Sequence, residues 1–132
     1  MIIQYILVGL GGSLGAILRF VVEACVNSLI SKSIFPFGTL IVNLLGCLVI
    51  GFLFGVIVVS GRIGPRARLL FITGFLGALT TFSSFGYETF ELITRHEITT
   101  ALLSVLVQVL VGIFAVWAGY VFSRLLAKVI YI

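Results

Sequence analysis

"LIVNLLGCLVIGFLFGVIVV", residues 40–59, holds one strongly polar side chain, Asn43, in an otherwise apolar run. A membrane-crossing helix needs about 20 apolar residues, whereas a barrel strand alternates its character over about 10. This run does not alternate, so it reads as a spanning helix. Working outward, the whole span covers 37–59, and three more apolar stretches qualify: 3–29, 68–93 and 98–123. Short polar breaks separate them, "SKSIFP", "SGRIGPRAR" and "TRHE". The 132 residues are 61% hydrophobic and 9% charged, where a soluble domain carries about 25% charged residues. The expectation is an all-α membrane protein, a single four-helix transmembrane domain over residues 1–132, multi-pass in the cell (inner) membrane. The first span has no charged leader and is too long for a signal peptide, so it reads as a permanent helix.

Charge and cysteine usage exclude several classes. Eight Lys and Arg against four Asp and Glu would point to nucleic acid in a soluble chain. Here the cations sit mostly at helix ends, where they set orientation and meet headgroups. No basic run with interleaved aromatics is present, so nucleic acid is not an expected partner. Cys25 and Cys47 form no C-x-x-C and read as small packing residues. The single histidine, His96, cannot build a zinc site and reads as a solvated loop residue. "GLGGSLGAILRF" resembles a dinucleotide fingerprint only superficially, because Leu14 stands where a glycine is required and no strand precedes it. Gly11 and Gly15 instead form G-x-x-x-G, a flat face for close helix approach, and Gly51 with Gly55 forms another.

The third span is the unusual one. "LLFITGFLGALTTFSSFGYETFELI", residues 69–93, gathers Thr80, Thr81, Ser83 and Ser84 among glycines. Glycine and hydroxyl or β-branched residues in succession weaken a helix, so a break is expected near residues 77–82. Thr80 lies about 18 Å past Arg68 if helical, near the centre of a core about 30 Å thick. A break at that depth is tolerated only where its backbone faces protein, water or an ion. Transporters use such breaks to bind ions.

Other polar residues pair at helical spacing. Thr39 and Asn43 share one face of the second span, and Ser104 and Gln108 share one face of the fourth. Each pair is either an interhelical hydrogen-bonding device or the wall of a polar path. Arg19 is either a snorkelling anchor or a cation at the mouth of an anion path, and Glu23, one turn on, can pair with it. Phe82 and Phe85 point the same way. Glu91 reads as a solvated end residue, while Glu88 lies deeper.

These motifs, "GGSLGAILRF", "FGTLIVNLLG" and above all "TGFLGALTTFSSFGYET", resemble the CrcB/Fluc family of fluoride channels over nearly the whole chain. The resemblance implies an antiparallel dimer of four-helix subunits with two fluoride pores. It implies a structural Na⁺ at the dimer centre, held by carbonyls of Gly77 and Thr80. It implies Phe82 and Phe85 as an aromatic box, Asn43 as an amide donor to fluoride, Thr39, Ser83 and Glu88 as a polar set near one pore end, and Arg19 at a vestibule. Gln108 departs in type from the small hydroxyl residues of the fourth-helix track, though its position suits. Physically, hydroxyls and carboxamides donate hydrogen bonds, aromatic edges are partly positive, and few fixed cations let the ion leave again. No nucleophile–base pair argues for an enzyme.

Dual insertion of one sequence requires balanced cations. Arg62, Arg66, Arg68, Arg124 and Lys128 fall on the side of the termini, against Lys32, Arg95 and, if counted, Arg19. That leans towards cytoplasmic termini. Both an antiparallel homodimer and a heterodimer with an oppositely inserted homologue fit. The rival function is a small antiparallel multidrug or cation exporter. It needs a central carboxylate in the first span, and the only acid there, Glu23, lies too near the end. A structural membrane subunit without transport is the third reading.

Overall fold

The computed structural model describes residues 1–60 and 63–130. Arg62 and the side chain of Lys128, two of the cations tallied above, lie outside the described residues. Helix α1 is Ile2–Leu29 and α2 is Phe37–Ser60. The third span divides into α3, residues 65–79, and α4, Phe82–Thr94. Helix α5 is Ile98–Ile130. Four helical stretches are long and apolar enough to cross a membrane: Ile2–Leu29, Phe37–Val58, Pro65–Thr94 and Ile98–Ala127. The chain is therefore a multi-pass membrane protein, and the spans expected from hydropathy stand at nearly the expected bounds.

The bundle is built from two tight helix pairs, α1 with α3 and α2 with α5, while α4 lies against α5 and α2. Small residues make this possible. Without a hydrophobic drive between helices in lipid, close backbone approach supplies the packing. Gly11 and Gly15 are the buried residues of α1, and a Cβ on either would overlap a carbonyl of α3, that of Leu70 or Phe75. Gly51 meets the Val116 carbonyl, and Gly55 meets Ser123. Both G-x-x-x-G motifs thus serve as the close-packing faces their spacing predicts. Their counterparts on the facing helices, Gly74 and Gly119, carry no such motif and become legible only in three dimensions.

Two local features shape the ends. Gly64 caps α3 and Pro65 takes its first turn, where the missing N–H costs nothing. Within α3, Arg68–Leu76 winds as a π-helix, a rare form that often marks functional segments. The reversal from α4 to α5 takes only residues 95–97. His96 stands there at φ 62°, its N–H bonded to Ile93 O at 3.0 Å, with Glu97 N–H bonded to Leu92 O at 2.9 Å. This is the left-handed helix stop usually filled by glycine, and His96 is exposed, as a loop residue should be.

Two outcomes follow for stability. Gly51→Val, forced against the Val116 carbonyl, lowers unfolding free energy by about 1–3 kcal/mol. His96→Gly raises it by about 1 kcal/mol by relieving the left-handed conformation. Loss of helical circular dichroism during sodium dodecyl sulfate titration in mixed micelles measures both.

Candidate ion path

The helix of the third span is interrupted at two extended residues, Thr80 (φ −81°, ψ 150°) and Thr81 (φ −145°, ψ 115°). They fall inside the window that the run of glycine and hydroxyl residues predicts. The ladder of α3 ends where Thr80 N–H donates to Leu76 O at 3.0 Å. Beyond it, the carbonyls of Gly77, Ala78, Leu79 and Thr80 receive no backbone amide from outside their helix among the described residues. A helix C-terminus leaves four such acceptors, and something must satisfy them.

On the other side of the break, α4 begins with its own cap. Thr81 Oγ1 accepts the Ser84 N–H at 3.1 Å. The same hydroxyl donates to Ser84 Oγ at 3.1 Å and lies 3.2 Å from Ser83 Oγ. Hydroxyls in the middle of the membrane are thus tied to one another and to the helix start.

The Thr81 N–H has no helix carbonyl to meet, and Thr81 is buried. Asn43, on α2, supplies the partner. Its Oδ1 accepts the Thr81 N–H at 2.8 Å, and its Nδ2 donates to Thr81 O at 3.2 Å. The second Nδ2 hydrogen goes to Gln108 Oε1 at 2.7 Å. A carboxamide has one acceptor and two donors aligned for this task. Both N–H bonds of Asn43 are therefore spent on protein, which differs from the expectation that they face an anion. The reason is local: a broken helix in lipid makes a carboxamide clasp worth more than a free donor.

Around this clasp lies a cleft of about 420 Å³, lined by Asn43, Gln108, Thr80, Thr81, Phe82 and Phe85 among others, with Gly77 on the rim of the same set. The rings of Phe82 and Phe85 stand edge to face, centroids 5.6 Å apart and planes at 62°. Phe82 is 83% exposed on the protomer, and Gly77 and Ser83 are exposed too. Gln108 Nε2 is buried and has no hydrogen-bond partner among the described residues.

One turn along α2 from Asn43, Thr39 is buried and donates to Glu88 Oε1 at 2.6 Å. Among the described residues, Glu88 Oε2 has no partner, and neither does the hydroxyl of fully buried Ser104, one turn from Gln108 on α5. Glu88 also lines a second, polar hollow of about 330 Å³ that opens between the loop after α1 and the turn after α4, with Lys32, Glu91 and Arg95 around it. Glu91 and Arg95 form an ion pair there.

Thr39, Asn43, Ser83, Phe82, Phe85, Glu88 and Gln108 are thus brought along one track between α2, α4 and α5. Arg19 is not on it. It lines neither hollow, and among the described residues it forms no ion pair with Glu23. Lys32 and Arg95 are the cations that line the polar hollow; nothing in their local sequence separates them from ordinary interfacial anchors. Thr81 was equally hidden, since its role lies in its backbone.

Asn43→Leu removes the Thr81 partner and leaves a buried N–H unpaired, a loss of about 1–3 kcal/mol. The same detergent unfolding titration measures it.

Comparison with known proteins follows the same residues. The family described as "CrcB-like protein, Camphor Resistance (CrcB)" matches residues 6–120. A protein of Azobacteroides pseudotrichonymphae named fluoride-specific ion channel FluC is 41% identical over 124 residues, 94% of this chain and 98% of that one. Proteins of the same name from Hydrogenovibrio crunogenus and Aquifex aeolicus are each 43% identical, covering 89% of this chain and 89% and 94% of their own length. The match runs through the break, the clasp and the aromatic pair, and the chain belongs to the CrcB family.

Proposed function

We propose that this chain is a passive fluoride channel of the cell membrane, working as an antiparallel dimer with a structural Na⁺ at its centre. It is a conduit rather than an enzyme. The observation that carries the reading is the interrupted third span: free carbonyls on one side, and Phe82, Phe85 and a buried amide donor on the other. The named relatives support fluoride as the ion.

Fluoride is small and strongly hydrated, so a path must replace its water. Gln108 Nε2 and the Ser104 hydroxyl, which have no partner among the described residues, can offer hydrogen bonds along the track. The edges of Phe82 and Phe85 carry partial positive charge and can meet an anion without holding it as a full cation would. Sites that bind weakly and in series let an ion leave as well as enter. At the polar end, Glu88 lines a hollow with Lys32 and Arg95, which raise the local anion concentration by their field.

The dimer is supported by exposure. A broken backbone cannot face lipid, yet Gly77 and Phe82 lie on the open side of the protomer. A second copy covers that side and brings two sets of carbonyls together. Oxygen ligands suit a hard cation, and the unpaired carbonyls of Gly77 and Thr80 would hold Na⁺, supplying positive potential to both paths. Antiparallel insertion as a homodimer, or with an oppositely inserted homologue, meets the same requirement.

Liposomes containing the pure protein test the reading. Loaded with fluoride or chloride and given a potassium shunt, they lose fluoride within seconds and keep chloride. Equal loss of both anions, or none, rejects the channel. Phe82→Ile and Phe85→Ile each slow fluoride loss about three- to tenfold, because a ring contact is worth about 0.5–1.5 kcal/mol. Replacing Na⁺ throughout by N-methylglucamine lowers flux and shifts the cross-linked population from dimer to monomer.

A further inference from the structure

We infer that Arg124 and Tyr120 hold the phosphate of an anionic glycerophospholipid, with the acyl chain laid along the outer face of α5. The inference concerns the lipid-facing side of the bundle and does not depend on the channel reading.

The charges of the chain are segregated by end. Glycines of α1 meet α3 in ascending order, Gly11 at Leu70 and Gly15 at Phe75, and those of α2 meet α5 likewise, Gly51 at Val116 and Gly55 at Ser123. Both pairs therefore run parallel. The end of α2 and the start of α3 are adjacent in the chain, so the last turns of α5 share one end of the bundle with the starts of α1 and α3. Arg66, Arg68 and Arg124 stand at that end. All four acidic side chains stand at the other: Glu23 late in α1, Glu88 and Glu91 on α4, and Glu97 just after it. Arg124 has no carboxylate at its own end, and among the described residues it forms no ion pair.

Its guanidinium is nevertheless held. Nη1 donates to the Tyr120 hydroxyl, one turn back, at 3.2 Å, and the guanidinium carbon lies 5.7 Å from the centre of the Tyr120 ring. A guanidinium carries five N–H donors in a planar fork that matches phosphate, and this contact spends one of them. Arg124 is exposed and lines, with Tyr120, Val121 and Leu125, a hollow of about 260 Å³. Towards mid-membrane on the same face, Trp117 and Phe114 are exposed, with ring centroids 5.4 Å apart. Trp117 lies about 10 Å from Arg124 along the helix axis. A cation with unspent donors near the end of a span, above bare aromatic rings, complements a molecule that is anionic at its head and hydrocarbon below. A zwitterionic head brings an ammonium as well, and no acidic side chain at this end receives it.

Trp117 is the single tryptophan, so indole fluorescence reports on the lipid beside it. The full-length protein is reconstituted in phosphatidylcholine bilayers, and phosphatidylglycerol or phosphatidylcholine brominated on the acyl chain, which quenches an adjacent indole, is titrated in. At low ionic strength phosphatidylglycerol takes the place next to Trp117 about fivefold more strongly than phosphatidylcholine, the ratio that one cation supplies near an anionic headgroup. Arg124→Gln abolishes the preference, whereas Arg66→Gln, at the same end but outside the hollow, retains most of it. Equal quenching by the two lipids in the wild type overturns the site. Absence of quenching by either overturns it too, because protein then covers Trp117. Equal losses in Arg124→Gln and Arg66→Gln replace it with a diffuse field of the whole end. Sodium phosphate at constant ionic strength leaves the preference unchanged; if it abolishes the preference, the hollow takes free phosphate and the lipid assignment falls.

Discussion

A backbone amide cannot go unpaired in hydrocarbon, and the rest of this structure follows from how one such amide is paired. The third span stops being helical at Thr80 and Thr81. The Thr81 N–H would then be stranded in the middle of the membrane. A carboxamide from a neighbouring helix, Asn43, meets it and bonds the Thr81 carbonyl as well. That single side chain ties α2 to the break and passes the constraint on to Gln108 of α5. Three of the four spans are thereby registered against each other at one depth, by directional bonds rather than by apolar packing.

The break separates two kinds of chemistry that a continuous helix would keep hidden. Its carbonyl end presents acceptors, which suit a cation. Its amide and hydroxyl end, with the rings of Phe82 and Phe85, presents donors and positive edges, which suit an anion. Among the described residues, no lysine or arginine lines the cleft that holds both, so a passing anion is attracted without being trapped. The full charges of Lys32, Arg95 and Glu91 stay at the polar end, where water screens them.

Close packing makes the arrangement rigid. The glycine faces of α1 against α3 and of α2 against α5 bring backbones together, and rigidity is what lets a clasp hold its geometry. Gly46 shows the link between packing and site. A Cβ there would overlap the Thr80 side chain, so the absence of a side chain on α2 lets the break lie beside Asn43, one turn away.

Composition and spacing alone were enough for the four spans, the glycine contact faces and the place of the break. Each of these is a local property: hydropathy over about 20 residues, small residues four apart, weak helix formers in a row. Tertiary structure decided what each residue does. Asn43 looks in sequence like a donor waiting for a ligand, and it is a clasp because the broken backbone lies opposite it. Gln108 looks like a mismatch, and its oxygen is held by Asn43. Lys32 and Arg95 line one hollow because two loops distant in sequence meet there. A hydrogen bond has a sense and a partner, and neither is written in the residue that makes it.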